Sequence, residues 1–454
     1  MWELREASTL TSLEPHPPPA RSLDVAWKVW LTLAAIVAVL VSAGCGTSSG
    51  ATSNGPAIAF DASAMPSPVS ATAQDLTSGQ WSTLPPAPIA SRDGASVLWT
   101  GTELLVWGGA SGTEDDQLHA DGVAYDPATG RWRLLPAAPL SPRVGQAAVW
   151  TGSEMVVWGG RVQQGPDSSE VTADGAAYDP STNHWQLLPP SPLTARSDTI
   201  AVWTGAEMVI LGGKSAEAGG SSQSYGDGAA FDPAASQWQA LPAPVPPAGH
   251  SLSWRTAIQA GSHLLAWSEW AMSITSGPDT GAETGGVDLF DYDELSGRWE
   301  LIPGTLGALP DVEVALWTGR LAVVRGEPDN CGLCSHPFWA EATALYDPAT
   351  NRWTAVPADP LQLDGLVSVW TGGALLSFNS DGSVTDGPSG DIVPGDASVY
   401  DPAAGSWQRI APGPFGCEAA AEVTPAWTGH QVLIYCTPSN PPAEAAGLIF
   451  TAGA

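Results

Sequence analysis

The sequence predicts an all-β chain of seven four-stranded antiparallel sheets, and three observations carry that expectation. A hairpin pattern, clearest at residues 147–160 as AAVWTGSEMVVWGG, returns about every fifty residues along the chain. Behind each copy comes a third β-type run that ends in an aromatic residue and Asp, usually followed by Pro. A fourth run then carries a Trp and stops at Leu-Pro or Val-Pro. The Trp-Thr-Gly triplet stands at Trp99, Trp150, Trp203, Trp317, Trp370 and Trp427, and a worn copy has Gln259 in the Trp position, which makes seven units.

Each element follows from local chemistry. In VWTGSEMVVW, two short runs of β formers flank Thr151, Gly152 and Ser153, which reads as two strands joined by a tight turn. Gly152 can take the positive φ that such a turn needs without steric cost. The third strands end at Tyr125-Asp126-Pro127, Tyr178-Asp179-Pro180, Phe231-Asp232-Pro233, Tyr346-Asp347-Pro348 and Tyr400-Asp401-Pro402, while Tyr292-Asp293-Glu294 has lost the Pro. There the Asp accepts from backbone two residues on and the Pro presets the first turn dihedral. Fourth strands are marked by Trp81, Trp132, Trp185, Trp238, Trp299, Trp353 and Trp407. A following Pro ends them, because it has no N–H to give to a ladder.

The strand count is uneven in one place. Trp81 precedes the first hairpin with no unit of its own, and the last hairpin has only one further strand, near residues 447–451. The spare strand at the start is the one missing at the end.

This order of double glycine, Tyr and Trp resembles the kelch family, over residues 76–454. The resemblance implies a seven-bladed β-propeller closed by the N-terminal strand completing the last blade. Closure of that kind leaves no sheet edge open to aggregation.

The propeller accounts for nearly the whole of the 454 residues, so three segments are expected: 1–44 a leader or membrane anchor, 45–75 a flexible Ser/Thr/Ala/Gly/Pro tether, and 76–454 the propeller. Arg21 and Lys28 precede an apolar run at 29–43, the length of a signal-peptide core. The run ends in Leu40-Val41-Ser42-Ala43-Gly44-Cys45, which resembles a bacterial lipobox and implies lipidation at Cys45. An extracytoplasmic protein held at the membrane by lipid or by an uncleaved anchor is therefore expected. A formal charge of −31 with only two lysines, Lys28 and Lys214, disfavours a nucleic acid partner.

In a propeller blade the second-to-third strand loops and the passages between blades share one face, and the tight turns share the other. That map places Cys417 and Cys436 at neighbouring strand ends and predicts a disulfide between them, with a second, local one between Cys331 and Cys334. Cys331-x-x-Cys334-x-His336 could instead be half a zinc site, but a fourth ligand is missing and no metal is expected.

All the long loops, at 110–120, 161–173, 214–226, 270–283, 326–339 and 379–395, fall on the same face, which makes it the candidate binding face. At its strand mouths stand Arg92, Arg143 and Arg196, with His250 and Arg255 in the fourth unit. Two accounts of the arginines are open. They could clamp an anion near the axis, or they could pair with Asp121, Asp174 and Asp227, which begin the third strands of the same units. Trp270 and Trp339 are read as loop residues able to stack on a sugar ring. Galactose oxidase, a relative by fold, would imply copper with paired Tyr and His ligands. Here five of the seven tyrosines are spent in the Asp turns and the histidines are scattered singly, so no cofactor is expected.

The reading is a monomeric, non-catalytic, membrane-tethered propeller that binds a protein or cell-envelope glycan with its long-loop face. The alternative is a carbohydrate-active enzyme of the mutarotase or epimerase type working at an axial Arg cluster.

Overall fold

The computed structural model describes residues 70–111, 117–165, 168–216, 222–273, 283–303, 312, 314–326, 342–361, 366–379, 385–387, 390–392, 395–413, 423–436 and 446–453. The chain divides into two units, Met1–Gly44 and Cys45–Ala454, and every described residue belongs to the second.

The described residues form seven four-stranded antiparallel sheets, here called blades. Blade 1 comprises Ser96–Trp99, Leu104–Trp107, Gly122–Asp126 and Arg131–Leu134, and blade 2 Ala147–Trp150, Met155–Trp158, Gly175–Asp179 and His184–Leu187. Blade 3 comprises Ile200–Trp203, Met208–Leu211, Gly228–Asp232 and Gln237–Leu241, and blade 4 Ser253–Ala260, His263–Ser273, Glu283–Asp293 and Arg298–Ile302. Blade 5 comprises Val314–Trp317, Ala322–Gly326, Ala342–Asp347 and Arg352–Ala355, and blade 6 Leu366–Trp370, Leu375–Asn379, Ala397–Asp401 and Ser406–Ile410. Blade 7 takes Val423–Trp427, Gln431–Cys436 and Ala446–Thr451 from the end of the chain and Gln80–Thr83 from its start.

First strands neighbour one another in blade order, and that of blade 7 lies beside that of blade 1. The buried apolar residues sort into clusters at the seams between blades. Val149, Trp158, Met208 and Phe231 meet between blades 2 and 3, and Leu104, Tyr125, Leu433 and Ile449 meet between blades 7 and 1. The inner strands are buried on both sides, as in Ser96–Trp99 and Leu104–Trp107, while outer strands such as Arg131–Leu134 and His184–Leu187 stay mostly exposed.

The repeat residues earn their places by hydrogen bonds. Gly101, Gly152 and Gly205 have φ of 97°, 97° and 96° in the hairpin turns. The Thr before each accepts, on its side-chain oxygen, the backbone N–H three residues on, at 2.8 Å from Glu103, 2.9 Å from Glu154 and 3.1 Å from Glu207. Asp126, Asp179 and Asp232 accept the N–H two residues on at 2.8, 2.7 and 2.8 Å. Every outer Trp except Trp353 donates its indole N–H to the preceding blade: Trp132 to the Pro85 carbonyl, Trp185 to Pro136, Trp238 to Pro189, Trp299 to Pro242 and Trp407 to Pro357. Trp81 follows the same rule. It lies opposite Phe450 in blade 7 and donates to the Ala411 carbonyl, beyond the last strand of blade 6, at 3.0 Å.

Two expectations need correction. The stretch assigned to the end of the tether contains a helix, Ala73–Thr77, started by a Thr72/Asp75 capping box. It belongs to the propeller because Ala71, Ala73 and Leu76 bury apolar surface in the seam of blades 6 and 7. Ala71 also exchanges hydrogen bonds with Thr371, and the Gly453 N–H donates to the Asp75 carbonyl at 2.8 Å. The second correction concerns stretches read as loops: 110–120 holds the paired strands Ala110–Ser111 and Gln117–Leu118, 161–173 holds Arg161–Gly165 and Ser168–Val171 paired with each other and with Arg143–Val144, and 270–283 begins within a ladder. Trp270 lies instead inside the strand His263–Ser273, whose eleven residues pair one to one with Glu283–Asp293. The partner strand opens with Glu283, Thr284, Gly285 and Gly286, which carry no apolar alternation, so the periodic signal failed there.

Candidate functional site

The strand directions put the hairpin and Asp turns on one face and the second-to-third strand connections on the other. On the latter, five blades place an Asp four residues before the aromatic of the third strand: Asp121, Asp174, Asp227, Asp288 and Asp396. Each has a cationic or titratable partner. Arg92 reaches Asp121 at 2.7 Å, Arg143 reaches Asp174 at 2.9 Å, and Arg196 reaches Asp227 at 2.7 Å. His250 Nδ1 lies 2.7 Å from Asp288, and Arg409 lies 2.8 Å from Asp396.

The three arginines are buried in ion pairs rather than open to solvent. Their side chains are 1%, 0% and 0% exposed, against 54%, 51% and 50% for the aspartates. Each Nη1 also donates to a carbonyl of the glycine pair, that of Gly108, Gly159 or Gly212, at 3.2, 3.0 and 2.9 Å. Each Nε donates to the carbonyl two residues back, that of Ala90, Ser141 or Thr194. The guanidinium thus ties the strand mouth to the glycine pair, and solvent meets the carboxylate. Burial pushes the Asp174 carboxyl up, but hydrogen bonds from Arg143 and Thr172 and the Arg143 charge outweigh it and hold the group below its ordinary value.

The residue two before the Asp differs from blade to blade. His119 Nε2 lies 2.8 Å from the Ser111 hydroxyl, and burial and then the Arg92 charge push its pKa down. Thr172 donates to Asp174 at 2.6 Å, and the Tyr225 ring lies 4.0 Å from the Arg196 guanidinium carbon.

Blade 4 departs furthest from the pattern. His250 replaces the Arg and lies flat on Trp270, with centroids 3.8 Å apart and planes at 17°. A Cβ on Gly286, which pairs with Trp270, would lie 3.1 Å from the indole, so a larger residue would crowd it. The indole face that was to take a sugar is occupied by the imidazole. Arg255 lies 3.6 Å from Glu269 on the neighbouring strand.

Trp339, Cys45, Cys331, Cys334 and Cys417 lie outside the described residues. Cys436 is buried at the end of the second strand of blade 7 and is disulfide-bonded. Among the described residues no group of three or more His, Cys, Asp or Glu could hold a metal ion, and no helix is long and apolar enough to cross a membrane.

One constellation escaped sequence reasoning. Arg325 stands at the register position of the buried Trp107 and Trp158, eight residues after the hairpin Trp, and is itself 1% exposed. It donates to the hydroxyls of Ser368 and Ser377 and lies 3.5 Å from Asp359, which accepts from Ser398. Blade 6 has serines where blade 1 has Val97, Val106 and Val123, so three apolar positions have been exchanged to house one buried cation. The signal was a charged residue in an otherwise apolar strand.

Repeat grammar, blade composition and turn chemistry together define a β-propeller built of kelch-type repeats. Comparison with known proteins agrees: residues 67–264 match the KLHDC2/KLHL20/DRC7 Kelch-repeats domain. The chain is also 25% identical over 319 residues to the Kelch-like protein terF of Aspergillus terreus. That similarity covers 69% of this chain and 64% of the relative, so the chain spans a little under two thirds of the length of the curated relative it matches.

Proposed function

We propose that this chain is a binding propeller that takes a protein or cell-envelope glycan partner on its long-loop face and works outside the cytoplasm, tethered to a membrane through its N-terminal segment. Kelch repeats support a protein-binding role, and the observation that carries the choice of face is the contrast between the two. The turn face repeats the same short turns from blade to blade. The other face varies in loop length and in the side chains set beside each Asp pair, on a scaffold held rigid by buried arginines. A mutarotase-type enzyme would need open guanidiniums at the axis, and Arg92, Arg143 and Arg196 are committed to carbonyls and carboxylates.

The tether is tested by expressing the full chain in bacteria and comparing it with Cys45→Ala. Recovery of the parent in membranes, with lipid labelling that Cys45→Ala abolishes, is the expected result. Equal release of both into the soluble fraction would defeat the lipid anchor. The face is tested by substitutions at Thr172 and Tyr225 against matched ones at Ser153 and Ala206 in the turns, with partner binding lost only in the first pair.

A further inference from the structure

Resting on the reading that the long-loop face binds, we infer that the projecting ladder of blade 4 is its docking element and that its partner is a basic, extended protein segment. The second and third strands pair without a break over eleven positions in blade 4, against four in blades 1, 2, 3 and 6, five in blade 5 and six in blade 7. Blade 2 also carries a hairpin beyond its glycine pair, Arg161–Gly165 with Ser168–Val171, but there Arg143–Val144 covers one edge. Register places the additional pairs, from Ser268–Asp288 to Ser273–Glu283, at the long-loop end. At about 3.3 Å per residue they carry the ladder roughly 20 Å along the strand direction.

A sheet does not extend that far without some gain, since a two-stranded ribbon is marginal in water. The base of this one is braced: Trp270 is held between His250 and Gly286, and His250 is held by Asp288. The first strand covers the ladder only as far as the Ser253–Glu269 pair, so Trp270–Gly286 and the pairs beyond it have no first-strand neighbour. A ribbon of this kind is suited to a partner that lies along it as another extended chain.

Charge selects the chemistry. The chain has a formal charge of −31, and on this face the exposed members of the ion pairs are the carboxylates: Glu269, paired with Arg255, is 42% exposed, and Asp121, Asp174 and Asp227 are half-exposed above buried arginines. Such a surface draws cationic segments and repels acidic ones. The covered face of Trp270 argues against a stacked sugar.

The test uses the full chain and two immobilised peptide pools of equal length, one rich in Lys and Arg, the other in Asp and Glu. One variant replaces residues 271–285 with Asn-Gly, which closes the Trp270–Gly286 pair by a two-residue turn. A second carries Glu269→Lys, and thermal melting checks that both fold. The parent is expected to retain basic peptides and not acidic ones, with at least a tenfold loss in the shortened variant and a smaller loss in Glu269→Lys. Unchanged retention by a folded, shortened variant overturns the ladder as docking element, while losses at Thr172 or Tyr225 would still uphold the face. Retention of acidic peptides alone, or of neither pool, overturns the basic partner.

Discussion

Arg143 and Asp174 meet at 2.9 Å across the mouth of blade 2, with the guanidinium wholly buried and the carboxylate half in water. The asymmetry makes the two residues unequal. Arg143 also satisfies the carbonyls of Ser141 and Gly159. Replacing it with Met strands both acceptors and should cost about 2–5 kcal/mol, at about 1–3 for each. Asp174→Asn keeps an oxygen acceptor that water can also reach, and should cost about 1 kcal/mol. Denaturant unfolding of the two variants checks this, and equal losses would count against the carbonyl bonds as the main contribution.

Acid should act on the two faces with opposite signs. Asp121 and Asp174 titrate below their ordinary value in the folded chain, so the stability they contribute is present above about pH 4 and is lost as pH falls through their folded values. Glu154 and Glu207 are pushed up by burial and then by Asp179 and Asp232, so each lowers stability once pH rises above its folded value. Glu154→Gln and Glu207→Gln should therefore raise the melting temperature at pH 7. The gain should vanish below the ordinary glutamate range, as melting curves at pH 3.5 and 7 would show.

Arg133 in blade 1 forms a two-pronged pair with Glu103, its Nε 2.8 Å from Oε1. Gln186 and Gln239 hold the same position beside Glu154 and Glu207. Gln186→Arg should supply the missing partner and stabilise by up to about 1 kcal/mol, the usual ceiling for a pair near the surface. The Glu154→Gln background should remove that gain in a double-mutant cycle.

The buried Arg325 network should tolerate joint replacement better than single replacement. Arg325→Met alone leaves Asp359 buried without its cation and should cost about 3–5 kcal/mol. Adding Asp359→Leu, Ser368→Val, Ser377→Val and Ser398→Val restores the apolar pattern of blade 1 and should recover most of the loss. Unfolding free energies of the single and fivefold variants decide it.

Closure by Trp81 can be measured directly. Leu76→Ala should cost about 2–5 kcal/mol from a fully buried site. Deleting residues 1–84 removes the outer strand of blade 7 and exposes the edge of Ala446–Thr451, whereas deleting 1–69 keeps that strand. Light scattering should show association of the shorter chain that the longer one lacks.

The sequence alone determined the repeat, its turns and the place of the spare strand. These are local or periodic signals: Gly152 marks a dihedral, Asp126 a turn bond and Trp132 an outer strand, each legible without knowing its neighbours. It also brought Arg92, Arg143 and Arg196 close to their aspartates in register. Only the tertiary structure decided which member of each pair faces water, because burial depends on the glycine carbonyls of a different strand. The same holds for Trp270, whose ring face is taken by His250 from twenty residues earlier in the chain, and for Arg325, whose serine partners lie in the next blade. Contacts between blades join residues about fifty apart, and no period within a single blade encodes them.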